Sequence, residues 1–198
     1  GDQNPYPRSP DRALELCRQH GYGLANAVEA ALQGPPKPVR GPLTAAMQEV
    51  VLDFAEPPSR ETLEAQVKSN NKYERLHAEF LLQQLEHEGE IPSTYPYWVQ
   101  AIRFGDDLTM VALAGEVVVD YSLRLKNELA GPPLWVAGYS NDVFGYVPSV
   151  RVLREGGYEG GGAMLYTPLP GPFAPSVEER IVNAVHALLA DAPTLQRN

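Results

Sequence analysis

The stretch YPYWVQAIRFGDDLTMVALAGE, residues 95–116, decides the fold. Tyr95 to Phe104 is rich in aromatic and β-branched residues and reads as a strand. Gly105-Asp106-Asp107 is a hairpin-like turn, and Leu108 to Leu113 is a short apolar strand. Glu116 to Leu129 then carries Val117, Val118, Tyr121, Leu125 and Leu129 at helical spacing. Pro132-Pro133 breaks that helix, and Leu134 to Ala137 is a further buried strand.

Working outward, Leu43 to Phe54 reads as a strand ended by Pro57-Pro58. Ser59 is an N-cap for a helical region reaching about Glu88, with a break between Lys68 and Lys72. Pro10 to Leu32 has helical spacing through Ala13, Leu14, Cys17, Leu24, Val28, Ala31 and Leu32, and Gly34-Pro35-Pro36 stops it. Gly21 and Gly23 weaken the middle of that helix by about 1 kcal/mol each relative to Ala. Pro148 to Arg154 forms a short helix, and Pro175 to Leu189 a closing one with a stripe of Val177, Ile181, Val185 and Leu188. The alternation predicts an α/β fold, a mixed β-sheet layered with helices, with residues 1–198 in one domain and no second one.

Composition narrows the function classes. The chain is 43% hydrophobic and 21% charged, a globular profile. Its net charge of −9 and scattered basic residues argue against nucleic acid, which demands clustered Lys and Arg. No apolar run approaches a membrane span of about 20 residues, and there is no signal peptide. The single cysteine, Cys17, excludes an internal disulfide and a Cys-based zinc cluster; its helical spacing reads as a small core residue. His20, His77, His87 and His186 lie in helical segments without HExxH spacing and read as surface or packing residues.

Two junctions stand out, because ligands of open α/β sheets gather where strands end. At Leu113-Ala114-Gly115-Glu116 a strand runs into a helix. Read alone, Glu116 there is a charge stabilising the helix dipole. The second junction, Gly138-Tyr139-Ser140-Asn141-Asp142-Val143-Phe144-Gly145-Tyr146-Val147-Pro148, is polar, aromatic and more elaborate than a plain connection. It leads to Gly156-Gly157-Tyr158-Glu159-Gly160-Gly161-Gly162, whose glycines allow close backbone approach to a ligand or simple flexibility. The residues alone define an α/β hydrolase-like domain with an unidentified site.

At these junctions the sequence resembles the neutral/alkaline ceramidase family. The family carries P-G-E between a late strand and a helix, matched by Ala114-Gly115-Glu116. A segment of the form G-L-x-N-x-Y-x-x-Y-V-T follows, matched by Gly138 to Val147. A run ending in R-Y-E-x-x-S is matched by Gly157-Tyr158-Glu159-Gly160-Gly161. The interval from Tyr146 to Tyr158 agrees with the family's spacing. Before Leu108 the resemblance is weaker.

The resemblance implies that this chain is the C-terminal half of a ceramidase-like catalytic domain. Glu116 would be a zinc ligand, Tyr146 a phenolic zinc ligand, and Tyr158 a hydrogen-bond donor to the substrate carbonyl or its oxyanion. The family's two histidine ligands have no counterpart here, so they are expected in an upstream half of the same domain. Gly1-Asp2-Gln3-Asn4-Pro5 corresponds to the family's G-D-V-S-P-N, which puts Asn4 where a catalytic serine stands. An amide cannot be a serine-like nucleophile but can orient or polarise a substrate. The implied activity is hydrolysis of a lipid amide such as ceramide, or another N-acyl compound, by zinc-activated water in a secreted or periplasmic protein. Asn4 keeps open an alternative, a non-catalytic relative that binds a lipid or glycan.

Overall fold

The computed structural model describes residue 2 and residues 10–191. The hairpin over the deciding stretch forms as its pattern demands. Strands β2 (Thr94–Phe104) and β3 (Leu108–Leu113) pair antiparallel around the 105–107 turn. β1 (Leu43–Asp53) pairs antiparallel with the other edge of β2. The last strand of this sheet, β5 (Leu134–Ala137), runs parallel to β3, so the sheet order is β1-β2-β3-β5 and the sheet is mixed. A parallel pair needs a crossover, and α4 (Val119–Glu128) supplies it.

One face of this sheet carries Tyr97, Val99 and Ala101 of β2 with Thr109, Val111 and Leu113 of β3, all buried. The closing helix α6 (Val177–Asp191) packs on it through Val177, Ile181 and Val185. The other face is different. Leu43, Ala45, Met47, Glu49 and Val51 project from β1 and are all exposed, as is Trp135 on β5. In β2 and β3 the same face presents Trp98, Ile102, Phe104, Leu108 and Met110, only half-buried. A mainly apolar sheet face is therefore left open to solvent.

Between β1 and β2, α2 (Arg60–Gln66) and α3 (Lys72–Glu88) pair over a small core of Leu63, Ala78 and Leu81. Ser59 caps α2 as expected, its side chain accepting from the Thr62 amide at 3.2 Å. The expected break is real: Asn71 caps α3 by accepting from the Tyr73 amide at 3.0 Å, and Gly89 ends the helix with φ of 82°.

Two expectations need correction. Helix α1 (Ala13–Gln33) forms and runs unbroken through Gly21 and Gly23, but none of its residues is buried. Its Leu14, Leu24, Val28 and Leu32 face solvent, and Cys17 is an exposed thiol rather than a core residue. The periodicity was that of an amphipathic helix whose apolar stripe has no cover among the described residues. Glu116 does not open a helix; it lies in a short strand, β4 (Glu116–Val117), and α4 begins only at Val119. That strand pairs in parallel with β6 (Tyr146–Val147), which precedes the short helix α5 (Val150–Glu155). Asn4 lies outside the described residues.

Candidate active site

Sequence neighbours of Glu116 explain why it leaves the sheet as a strand. Gly115 takes φ of 68°, and an added Cβ there would sit 2.8 Å from Val147 Cγ2 and 3.0 Å from the Gly145 carbonyl oxygen. Only glycine lets the two junctions approach so closely. Backbone bonds then lace them together: Gly115 N–H donates to Asp142 O at 2.7 Å, Glu116 N–H to Gly145 O at 2.8 Å, and Tyr139 N–H to Gly115 O at 2.8 Å. Aromatic packing supports the loop from below. Phe144 sits with its ring centroid 4.3 Å from that of Tyr95 and 6.0 Å from that of Phe173. The Tyr95 hydroxyl donates to Asp142 at 2.6 Å, and the buried Tyr97 hydroxyl to the Ala114 carbonyl at 2.8 Å.

The result brings together the side chains that the sequence separated. Glu116 and Tyr146 are in-register partners of the parallel pair. The Tyr146 and Tyr139 phenols both lie near enough to the Glu116 carboxylate to act on its titration. Burial alone would raise the pKa of Glu116, but it lies below the ordinary value; Tyr146, then Tyr139, lead the contributions that draw it down. The phenols respond in the opposite sense. Burial, followed by the nearby Glu116 carboxylate, raises the pKa of Tyr146 and pushes that of Tyr139 up to about 12. The T-shaped contact between Tyr158 and Tyr146 places their ring centroids 5.5 Å apart, so Tyr158 borders the same corner. The glycines beside it serve the turn itself: a Cβ on Gly160 would lie 2.5 Å from the Gly156 carbonyl oxygen.

Sequence reasoning missed Tyr139 and Asp2. Tyr139 holds φ of 54°, a backbone region that a bulky aromatic rarely occupies. Such strain has no signature in sequence, though the density of tyrosines from 139 to 166 hinted at a shared surface. Asp2 accepts from the Val119 amide at 3.1 Å and so supplies the cap that α4 lacks within itself. This ties Asp2 to the segment that bears Glu116.

The donor set can be weighed for a metal. Glu116 and Tyr146 offer a carboxylate and a phenol oxygen on paired strand positions. They fit as two members of a ligand set, and a catalytic zinc usually takes at least three protein ligands. Among the described residues no group of three or more His, Cys, Asp and Glu is placed to hold a metal. The histidines are engaged elsewhere or lie at the surface: His77 is buried against the Leu169 carbonyl at 2.6 Å, His186 contacts Glu128 at 2.8 Å, and His20 and His87 are exposed.

No family model matches the chain, and no curated protein does. Among solved structures, the chain is similar to the crystal structure of neutral ceramidase from Pseudomonas aeruginosa, with 20% identity and a TM-score of 0.53. The match covers 93% of this chain and 34% of that one, so the chain spans about a third of the ceramidase's length. At that identity the likeness defines the fold: a mixed α/β unit shared with part of a ceramidase. Among the described residues no helix is long and apolar enough to cross a membrane.

Proposed function

We propose that the Glu116–Tyr146 corner is part of the active site of a zinc-dependent amide hydrolase acting on a lipid amide or related N-acyl compound. The observation that carries the reading is the in-register pairing of Glu116 with Tyr146, which joins a carboxylate and a phenol from two separate junctions. The sequence resemblance at both junctions and the likeness to a ceramidase support it. Zinc, when bound, would supply Lewis-acid polarisation of the amide carbonyl and activation of water. Glu116 and Tyr146 would hold it together with two histidines from an upstream part of the polypeptide.

The chain's own residues have definable tasks around that centre. Tyr139 lies near Glu116 and would hold the carboxylate facing Tyr146. Tyr158, whose ring packs against Tyr146, would donate its hydroxyl to the carbonyl oxygen as negative charge develops there. Asn4, by the family correspondence, would position the substrate. The product pair is a carboxylate and an amine. Such a protein would act in a secreted or periplasmic setting.

The test uses the full-length polypeptide. Zinc content after dialysis and turnover on a panel of N-acyl substrates are compared for the parent, Glu116→Gln and Tyr146→Phe. Both variants should lose zinc and turnover together, and the 198-residue chain alone should hold zinc weakly. Tight stoichiometric zinc in both variants contradicts the ligand assignment. A folded full-length parent that binds N-acyl compounds but never hydrolyses them favours the lipid-binding alternative.

A further inference from the structure

His77 is a buried histidine that the proposed reaction does not use, and its side chain joins two parts of the fold. It precedes Ala78 of the small helical core on α3, and its Nε2 meets the carbonyl of Leu169, a main-core residue, at 2.6 Å. A carbonyl oxygen only accepts, so Nε2 carries the proton and donates. Leu169 stands between Pro168 and Pro170, outside any helix or strand, and its carbonyl takes a donor from a side chain instead of a ladder. Hydrogen bonds then run back from Leu169 toward Tyr158. The Leu169 amide donates to Thr167 Oγ1 at 3.2 Å, and Thr167 Oγ1 donates to the Met164 carbonyl at 3.0 Å. Met164 lies in the 3₁₀ turn Gly162–Tyr166, whose Ala163 amide donates to the Tyr158 carbonyl at 2.8 Å. The Thr167 methyl also rests against Gly145, the residue before Tyr146, where an added Cβ would come within 3.3 Å of it. Downstream, the Pro172 carbonyl accepts from the Ala55 amide at 2.9 Å and the Ala174 amide donates to Asp53 at 2.8 Å, which fixes that end to the end of β1.

We propose that His77 is a positioning residue: by holding the Leu169 carbonyl it fixes the 158–169 segment and so sets the place of the Tyr158 hydroxyl beside Tyr146. The proposal rests on the amide-hydrolase reading for the task of Tyr158. A contact that only filled space between α3 and this segment would be met by a leucine. A ring N–H aimed at one carbonyl sets direction as well as distance. The Tyr158 ring meets Tyr146 and Tyr166 through ring contacts, so the location of its hydroxyl is inherited from the backbone that carries it. That backbone is tied through Ala163, Met164 and Thr167 to the carbonyl that His77 holds. The flanking prolines fix φ on either side of Leu169 and make this stretch stiff, so a hold at one residue carries along it. A shift of about 1 Å at a reacting group can cost about 10²-fold in rate, which gives a buried anchor distant from the chemistry real leverage.

The experiment uses the full-length polypeptide with zinc supplied. It compares the parent with His77→Met, which removes the donor at similar length, and His77→Gln, which keeps an N–H at similar reach. Thr167→Val breaks the same path independently, removing the relaying hydroxyl while keeping the shape, and it decides the matter if His77→Met does not fold. Each is made with and without Tyr158→Phe. Two quantities are read: amide hydrogen exchange across residues 158–169, and kcat and KM on the N-acyl substrate that the parent turns over fastest. His77→Met and Thr167→Val should speed exchange at Ala163 and Leu169 and lower kcat about 10- to 100-fold with KM nearly unchanged. His77→Gln should restore both. Once Tyr158→Phe is present, neither substitution should lower kcat further, because the two positions act as one unit. Equal losses of kcat with and without the Tyr158 hydroxyl overturn the proposal. Hydrolysis by the parent, with exchange unmoved by His77→Met and Thr167→Val, overturns it too while the hydrolase reading stands. Exchange speeded by His77→Met and restored by His77→Gln, in a protein that hydrolyses nothing, upholds the anchor while the hydrolase reading fails.

Discussion

Glu116 and Tyr146 face each other as in-register partners of a two-residue parallel ladder. This pairing is made possible by the residue before it. Gly115 holds φ of 68° where the 145–147 segment presses against its Cα. Gly115→Ala should therefore destabilise the protein by about 1–3 kcal/mol, through left-handed strain and the clash with Val147. It should also loosen the contact between Tyr146 and Glu116. Chemical denaturation reports the first effect, and ultraviolet titration of the tyrosines the second. A fully stable Gly115→Ala variant with unchanged tyrosine titration would show that the ladder does not depend on this glycine.

Tyr158 can be tested without disturbing the fold, because its side chain is exposed and its known contacts are with other rings. Tyr158→Phe keeps the ring and removes one hydroxyl. On the oxyanion-donor reading kcat falls about 10²- to 10³-fold with little change in melting temperature. If Asn4 serves only to position substrate, Asn4→Ala should reduce turnover only modestly. Equal kcat for the parent and Tyr158→Phe removes Tyr158 from the chemistry.

The layout of strands was legible because the chain writes it in period and punctuation. The 105–107 turn, the Pro132-Pro133 break and the Ser59 cap all act locally, so β2, β3, β5 and α2 fall where their residues place them. The meeting of Glu116 with Tyr146 was foreseeable in outline, since each follows one of two adjacent strands. That Glu116 lies in a strand was not foreseeable, because its pairing with residues 146–147 is a long-range event. The apolar spacing of 116–129 is compatible with a helix throughout. Burial of α1 was misread for a related reason. An amphipathic stripe tells which face seeks cover, and says nothing about what provides it.

Asp120 sets a pH dependence away from the candidate ligands. Its pKa is lowered first by the hydrogen bond from Arg151, against burial, and then by that from Ser149. Arg151 donates at 2.9 Å and Ser149 at 2.5 Å, the latter also capping α5 through the Val152 amide. A carboxylate with a lowered folded-state pKa contributes stability that is present above its unfolded value of about 3.9. That contribution disappears as pH falls through the folded value. Asp120→Asn should thus cost about 1 kcal/mol at neutral pH, kept small by the exposure of Arg151, and almost nothing near pH 2. Denaturation midpoints of the two proteins measured across pH 2–7 should converge at the acid end. A constant difference at every pH would mean that the carboxylate charge is not the source.

Leu43, Met47 and Val51 on β1 and Trp135 on β5 form part of an apolar surface on the side opposite α6, and β1 is also a free edge strand among the described residues. Large exposed apolar surfaces of this kind are covered in functional proteins, and a free edge invites further pairing. If an upstream part of the same polypeptide is the natural cover, the 198-residue chain alone should self-associate through this face. Met47→Lys combined with Trp135→Lys should then shift the isolated chain toward monomer in sedimentation. The same pair should destabilise the full-length polypeptide, where it would bury two charges in an internal interface. The opposite signs are the test. A full-length protein indifferent to both substitutions would place that face at a true solvent boundary.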